Sequence, residues 1–87
     1  MRIFLIWNRA YKATCVLAPD IDEALKIALG ASHFRRAGNY RRWDDCTEEY
    51  LASDDYPKIE ELLALGITGI LTPKDGGWNV NGKPVPL

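Results

Sequence analysis

One capped amphipathic helix, over residues 20–30, constrains the fold of this chain more than any other feature. Asp20 is a suitable N-cap, and Glu23 lies three positions later, at the spacing of a capping box. Gly30 is suited to the C-terminal end. Apolar residues recur at helical spacing along one side: Ile21, Ala24, Leu25, Ala28 and Leu29. A helix with one apolar side packs against a second layer of structure, and the segments around it favour a sheet.

Two strand patterns precede this helix. Residues 3–7 are apolar and rich in β-branched and aromatic side chains, which is typical of a largely buried strand. Residues 8–10 form a predicted turn. Residues 11–18 then alternate, with Ala13, Cys15 and Leu17 on one side and Thr14 and Val16 on the other. We therefore expect an antiparallel hairpin before the helix.

The middle of the chain, residues 31–53, carries weaker signals. Gly38 and Asn39 indicate a turn. Thr47 is a candidate cap for a short helix over residues 48–52, which the early acidic residues favour, and an extended edge is the alternative. A second clear helix is predicted to begin at Asp54 or Asp55. Its first turn contains Pro57, and its apolar stripe and terminating glycine are Ile59, Leu62, Leu63 and Gly66.

The C-terminal part returns to strand patterns. Residues 67–72 predict a strand interrupted by Gly69, and residues 73–77 predict a turn. Asn81 and Gly82 are the two-residue signature of a type I′ hairpin turn, and Pro84 places the last strand at a sheet edge. The order β-β-α-(short α)-α-β-β-β predicts one α+β domain over residues 1–87. Its simplest architecture is a small, mostly antiparallel sheet with two helices packed on one face.

Charge and hydropathy exclude several classes of protein. The chain has 87 residues and a net charge of −1, so it has no general attraction for nucleic acid or anionic membranes. No apolar run is long enough for a transmembrane helix, and the N-terminal apolar stretch is too short for a signal peptide. We therefore expect a cytoplasmic protein that does not engage a membrane.

The sequence has no recognisable catalytic or metal-binding apparatus. His33 is the only histidine, and its basic surroundings disfavour a role as general base. Cys15 fits a packed strand position, while the acidic residues around Cys46 disfavour its thiolate. Neither cysteine has a partner at metal-ligand spacing. We expect no enzymatic activity, no cofactor and no metal.

A basic stretch interleaved with aromatic residues is the first candidate binding surface. Arginines beside aromatic rings stack on bases and contact phosphates, and the same residue types dominate protein–protein contact sites. The alternative is that Tyr40 and Trp43 pack into the domain while the arginines pair with the acids that follow. The candidate residues are Arg35, Arg36, Tyr40, Arg41, Arg42 and Trp43.

An acidic block is the second candidate surface. Residues 44–55 contain six acids and no base: Asp44, Asp45, Glu48, Glu49, Asp54 and Asp55. Such a cluster creates a local field despite the near-neutral total charge, although solubilising and helix-capping acids are the simpler interpretation.

The leading hypothesis is a non-enzymatic protein-binding module, monomeric or homodimeric. It would dock this acidic and aromatic surface on a basic partner, such as a nucleic-acid-binding protein, in the manner of a small phage-encoded inhibitor or accessory factor acting on host machinery. Direct nucleic-acid binding by residues 35–43 is the alternative.

Overall fold

A computed structural model describes residues 1–30 and 40–87 of the chain. The predicted turn at Gly38 and Asn39, and the candidate residues Arg35 and Arg36, lie outside these described residues. The elements in the described ranges are β1 (Arg2–Asn8), β2 (Ala13–Ala18), α1 (Ile21–Leu29), β3 (Tyr40–Asp45), α2 (Thr47–Ala52), α3 (Ile59–Ala64), β4 (Gly69–Lys74), β5 (Gly77–Val80) and β6 (Lys83–Pro84).

The strands form one six-stranded sheet in the order β3-β1-β2-β4-β5-β6. Every neighbouring pair is antiparallel. The N-terminal hairpin pairs Ile3 with Leu17 and Phe4 with Val16. This architecture confirms the predicted fold class, an α+β domain built on an antiparallel sheet.

The sheet has apolar side chains on both faces because both Ile3 and Phe4, neighbours in β1, are buried. On one face, which we call the α1 face, Phe4, Ile6 and Val16 form a cluster with Ala24 and Ala28 of α1. On the other, the α3 face, the cluster contains Ile3, Leu17, Ile59, Leu62, Leu71, Trp78 and Val80. Helices α1 and α3 thus pack on opposite faces of the sheet, whereas the simplest architecture expected from the sequence has two helices on one face. The near-continuous apolar run of β1 is consistent with this, because such runs indicate a strand that is buried on both sides.

Three features predicted from short sequence signals are confirmed: a helix cap, a hairpin turn and an edge strand. The Asp20 carboxylate accepts a hydrogen bond from the Glu23 backbone N–H over 2.9 Å, which confirms the predicted cap of α1. Asn81 and Gly82 both have positive φ, 53° and 77°, as a type I′ turn requires. Pro84 lies in the edge strand β6, where its missing N–H costs no interior hydrogen bond of the sheet.

Other boundaries differ from expectation. Residues 40–45 form the edge strand β3, which the sequence did not predict. The short helix α2 is confirmed, but Cys46 occupies its N-cap position and Thr47 is its first residue. Helix α3 begins at Ile59 rather than at Asp54 or Asp55, since Lys58 before it is left-handed. Strand β4 continues through Pro73 and Lys74, so the following turn is shorter than predicted.

Candidate functional site

Part of the acidic block is neutralised by Arg2, whose role the sequence did not reveal. The Arg2 guanidinium donates to the carboxylate of Asp45, which belongs to β3. It also donates to both oxygens of Glu48 in α2, each at 2.8 Å. These hydrogen bonds hold the pKa of Glu48 below its ordinary value. Asp45 and Glu48 therefore use their charge within the fold, where they join β1, β3 and α2 through Arg2.

Asp44 also has partners within the fold, Trp7 and Arg42. The indole N–H of Trp7 donates to its carboxylate over 2.9 Å. The Arg42 guanidinium lies 3.7 Å from the same oxygen and 5.3 Å from the centre of the Trp7 ring. This arrangement matches the alternative in which arginines of the basic stretch pair with the acids that follow it.

The remaining acids of the block lie on α2 and in the connection to α3. Glu49, Asp54 and Asp55 are exposed, and no ion pair joins any of them to another residue in the described part of the chain. Two acids in the first turn of α3, Glu60 and Glu61, extend this surface. They lie beyond the predicted acidic block, which ends at Asp55.

A shallow groove of about 250 Å³ lies within this acidic surface. Leu51 and Tyr56 line it together and keep 43% and 37% of their surfaces exposed, so two large side chains adjoin one another at the surface. We call this the acidic groove, and its lining residues are Leu51, Tyr56, Lys58, Ile59, Glu60 and Glu61.

Aromatic contacts position the wall of the acidic groove. The rings of Tyr50 and Tyr56 stack with centroids 4.0 Å apart. The indole N–H of Trp78, in β5, donates to the Pro57 carbonyl over 2.6 Å. These contacts hold the α2–α3 connection against the sheet and explain why residues 54–57 are not helical. They also leave one side of Tyr56 toward solvent.

The described part of the basic and aromatic stretch lies in strand β3, so its side chains alternate between the two faces of the sheet. Trp43 lies opposite Ile6 and Arg42 opposite Trp7, so the two side chains project to different faces of the sheet. Trp43 keeps 40% of its surface exposed, and its ring packs edge-on against the Phe4 ring with centroids 5.9 Å apart. Tyr40 packs against the cluster of the α1 face. The predicted stretch does not form one continuous surface within the described residues.

Arg41 and the loop between β1 and β2 build a second polar surface. The Arg41 guanidinium lies 4.3 Å from the centre of the Tyr11 ring. Arg9, Tyr40 and Arg41 line a depression of about 320 Å³ beside it. We call Arg9, Tyr11, Tyr40 and Arg41 the hairpin-tip surface. Arg9 and Tyr11 were not singled out from the sequence.

Neither thiol is activated for nucleophilic chemistry. Burial raises the pKa of Cys15 to about 11. Burial, together with the nearby charges of Glu49, Asp44 and Asp45, also raises the pKa of Cys46. Both cysteines are free. Among residues 1–30 and 40–87, no group of three or more His, Cys, Asp or Glu side chains is placed to hold a metal ion.

Comparisons with known proteins found no matching family model, no matching curated protein and no matching solved structure. In the described ranges, none of the helices has both the length and the apolar character needed to cross a membrane. The chemistry of the surface is therefore the basis for assigning a function.

Proposed function

We propose that this chain is a non-enzymatic protein-binding module whose acidic groove docks on a basic surface of a partner protein in the cytoplasm. The observation that carries the proposal is the exposure of Leu51 and Tyr56 inside a rim of acids that make no ion pair in the described part of the chain. Acidic side chains alone are explained by solubility. An exposed aliphatic and an exposed aromatic side chain between them are not, and this combination is typical of interface centres.

The charge distribution supports a basic partner. Residues 44–61 contain eight acids and one base, Lys58. Arg2 and Arg42 neutralise three of these acids, at the side nearest β3. In the described ranges no ion pair joins the acids nearest the acidic groove to a cation, and such a cluster gives a field that steers association with a positively charged surface. A module of this kind, acting as a monomer or homodimer, is suited to work as an inhibitor or accessory factor by occupying that surface.

Nucleic-acid binding along residues 35–43 is the less favoured reading. Arg42 and Trp43 project to opposite faces of the sheet, so one strand of nucleic acid does not contact both. Arg42 also has Asp44 within 3.7 Å.

A charge-reversal experiment tests the proposed docking. The groove variant carries Asp55→Lys and Glu61→Lys. Its matched control carries Asp22→Lys and Asp75→Lys, which are likewise one acid in a first helical turn and one in a turn. Each protein is immobilised and exposed to an extract of the organism that produces the chain, and bound proteins are quantified by mass spectrometry.

We expect a basic protein that the native chain and the control retain and the groove variant loses. The purified partner is then titrated against a Leu51→Gln variant, with Leu29→Gln as control. Because apolar interface centres contribute strongly, Leu51→Gln should weaken binding at least about tenfold. Equal retention by the groove variant and the control would refute the acidic groove as the docking site.

A further inference from the structure

We infer that the hairpin-tip surface binds single-stranded nucleic acid, with a base stacked on the open face of Tyr11 and phosphates on Arg9 and Arg41. This site is separate from the acidic groove and is independent of the proposed function. Strand β1 separates the two regions, because Arg2 lies at the acidic end and Asn8 at the hairpin tip. Seven residues of strand span about 20 Å.

Tyr11 is presented to solvent by a built loop. Its side chain is 68% exposed, the largest exposure among the large apolar and aromatic side chains of the described residues. Its backbone is left-handed, with φ of 62°, a conformation that residues with side chains rarely adopt. The last residue of a three-residue hairpin loop takes this conformation, so the turn between β1 and β2 itself presents the ring outward.

The Asn8 side chain holds this loop in place. Asn8 is buried, and its carboxamide oxygen accepts hydrogen bonds from the backbone N–H groups of Ala10 and Lys12 over 2.9 and 3.0 Å. The Asn8 backbone N–H donates to the Lys12 carbonyl, and the Tyr11 N–H donates to the Asn8 carbonyl. The loop is therefore preorganised, so a ligand that stacks on Tyr11 orders little additional chain on binding.

Arg41 completes a stacking platform. Its guanidinium lies 4.3 Å from the centre of the Tyr11 ring and so occupies one ring face. The 68% exposure of the side chain leaves the other face accessible. Arginine, tyrosine and a base then stack in sequence, while Arg9 and Arg41 line the adjacent depression of about 320 Å³.

The third feature of the hairpin-tip surface is its positive charge. Within the described ranges, Arg9, Lys12 and Arg41 make no ion pair, whereas Arg42 is placed beside Asp44. Cations without an ion-pair partner beside an exposed aromatic ring match a nucleotide, which carries a phosphate for the cations and a base that stacks on the ring. A single strand is favoured over a duplex because its bases are available for stacking.

Fluorescence anisotropy with labelled oligothymidylate and oligouridylate of about eight nucleotides tests this inference. For single strands each neutralised phosphate contributes about −0.7 to the slope of log K against log salt. Two arginines should therefore give a slope of about −1.4 between about 50 and 200 mM salt. A double variant, Arg9→Gln with Arg41→Gln, should bring the slope near zero. Its matched control, Lys26→Gln with Lys83→Gln, removes the same charge elsewhere and should leave affinity unchanged.

Stacking is tested separately from charge. Tyr11→Phe keeps the ring and should retain affinity. Tyr11→Asn suits the left-handed backbone but removes the ring, and should weaken binding about fivefold or more. A duplex of the same length should bind more weakly than the single strand. Thermal unfolding of each variant verifies that the fold is retained.

Two outcomes would overturn the inference. One is the absence of oligonucleotide binding at about 50 mM salt. The other is binding that falls with charge removal but is equal for Tyr11→Phe and Tyr11→Asn, which would indicate general attraction of a polyanion. Neither outcome affects the acidic groove, because the variants that test the groove and those that test the tip share no residue.

Discussion

Thr47 shows how a tertiary contact can engage a side chain that the sequence favours as a helix cap. The sequence favours it as the N-cap of α2, but Cys46 occupies that position and Thr47 is the first residue of the helix. Its oxygen instead accepts from the Ile3 backbone N–H over 2.9 Å and donates to the Asp45 carboxylate over 2.7 Å. Thr47 is buried and so joins α2 to the end of β1. No local pattern signals the bond to Ile3, because that residue lies 44 positions away, whereas the bond to Asp45 spans only two positions.

Replacing this hydroxyl should destabilise the domain. In Thr47→Val the side-chain shape is kept, but the buried Ile3 N–H loses its acceptor. Leaving a buried donor unsatisfied costs about 1–3 kcal/mol, so the free energy of unfolding should fall by that amount. Thr47→Ser retains the hydroxyl and should lose less. Urea unfolding followed by circular dichroism measures both, and equal stabilities for Val and Ser would contradict the assignment.

At the scale of elements, the sequence predicted those whose signals are local. Helix α1 and the hairpin turn at Asn81 and Gly82 carry their caps and turn residues within a few positions. Strand β3 lacks such a signal. Its residues 40–45 include two arginines and two aspartates, and the strand exists because it pairs with β1. Charged side chains are tolerated there because β3 lies at the edge of the sheet.

Helix α3 shows a second limit of local prediction. Asp54, Asp55 and Pro57 are good residues for a first helical turn, which favoured an early start. The stacking of Tyr56 on Tyr50 and the bond from Trp78 to the Pro57 carbonyl hold this segment in another conformation. The ring stack and this hydrogen bond across 21 positions outweigh capping preferences that are worth about 1 kcal/mol each.

The cap of α1 gives a prediction at this scale. Asp20→Ala removes the acceptor for the Glu23 N–H and should lower the free energy of unfolding by about 1 kcal/mol. Asp20→Asn is the control, since asparagine is a comparable cap. Denaturant unfolding compares the three proteins. If Asn were as destabilising as Ala, charge at the helix end rather than the capping bond would be responsible.

At the scale of the whole molecule, the charges separate along β1. Arg9, Lys12, Arg41 and Arg42 lie near its C-terminal end, whereas Asp45 and Glu48 surround its N-terminal end at Arg2. The acidic block was visible in the sequence, but which acids remain available for a partner was not. Arg2 lies 43 positions from Asp45 and 46 from Glu48, so only the paired strands bring them together. The two proposed binding surfaces follow from the charges that these pairs leave over.

The Arg2 contacts also predict how stability responds to acid. Burial tends to raise the pKa of Asp45, but hydrogen bonds from Arg2 and Thr47 together outweigh it and hold the pKa below its ordinary value. The Arg2 hydrogen bonds likewise lower the pKa of Glu48. Because both carboxylates hold protons less tightly in the folded chain than in the unfolded one, they stabilise the fold above their unfolded pKa values, about 4. That contribution is lost as pH falls through the lower, folded values.

An Arg2→Gln variant isolates this contribution. Near pH 7 the native chain should be more stable than the variant, and the difference in thermal midpoint should shrink as the pH falls below about 4. Lys83→Gln removes a cation that makes no ion pair in the described ranges, and its difference from the native chain should stay small throughout. Differential scanning calorimetry at a series of pH values provides the midpoints. A gap between the native chain and Arg2→Gln that stayed constant down to pH 2 would mean that Arg2 stabilises by packing of its aliphatic stem, since only the ion pairs require ionised carboxylates.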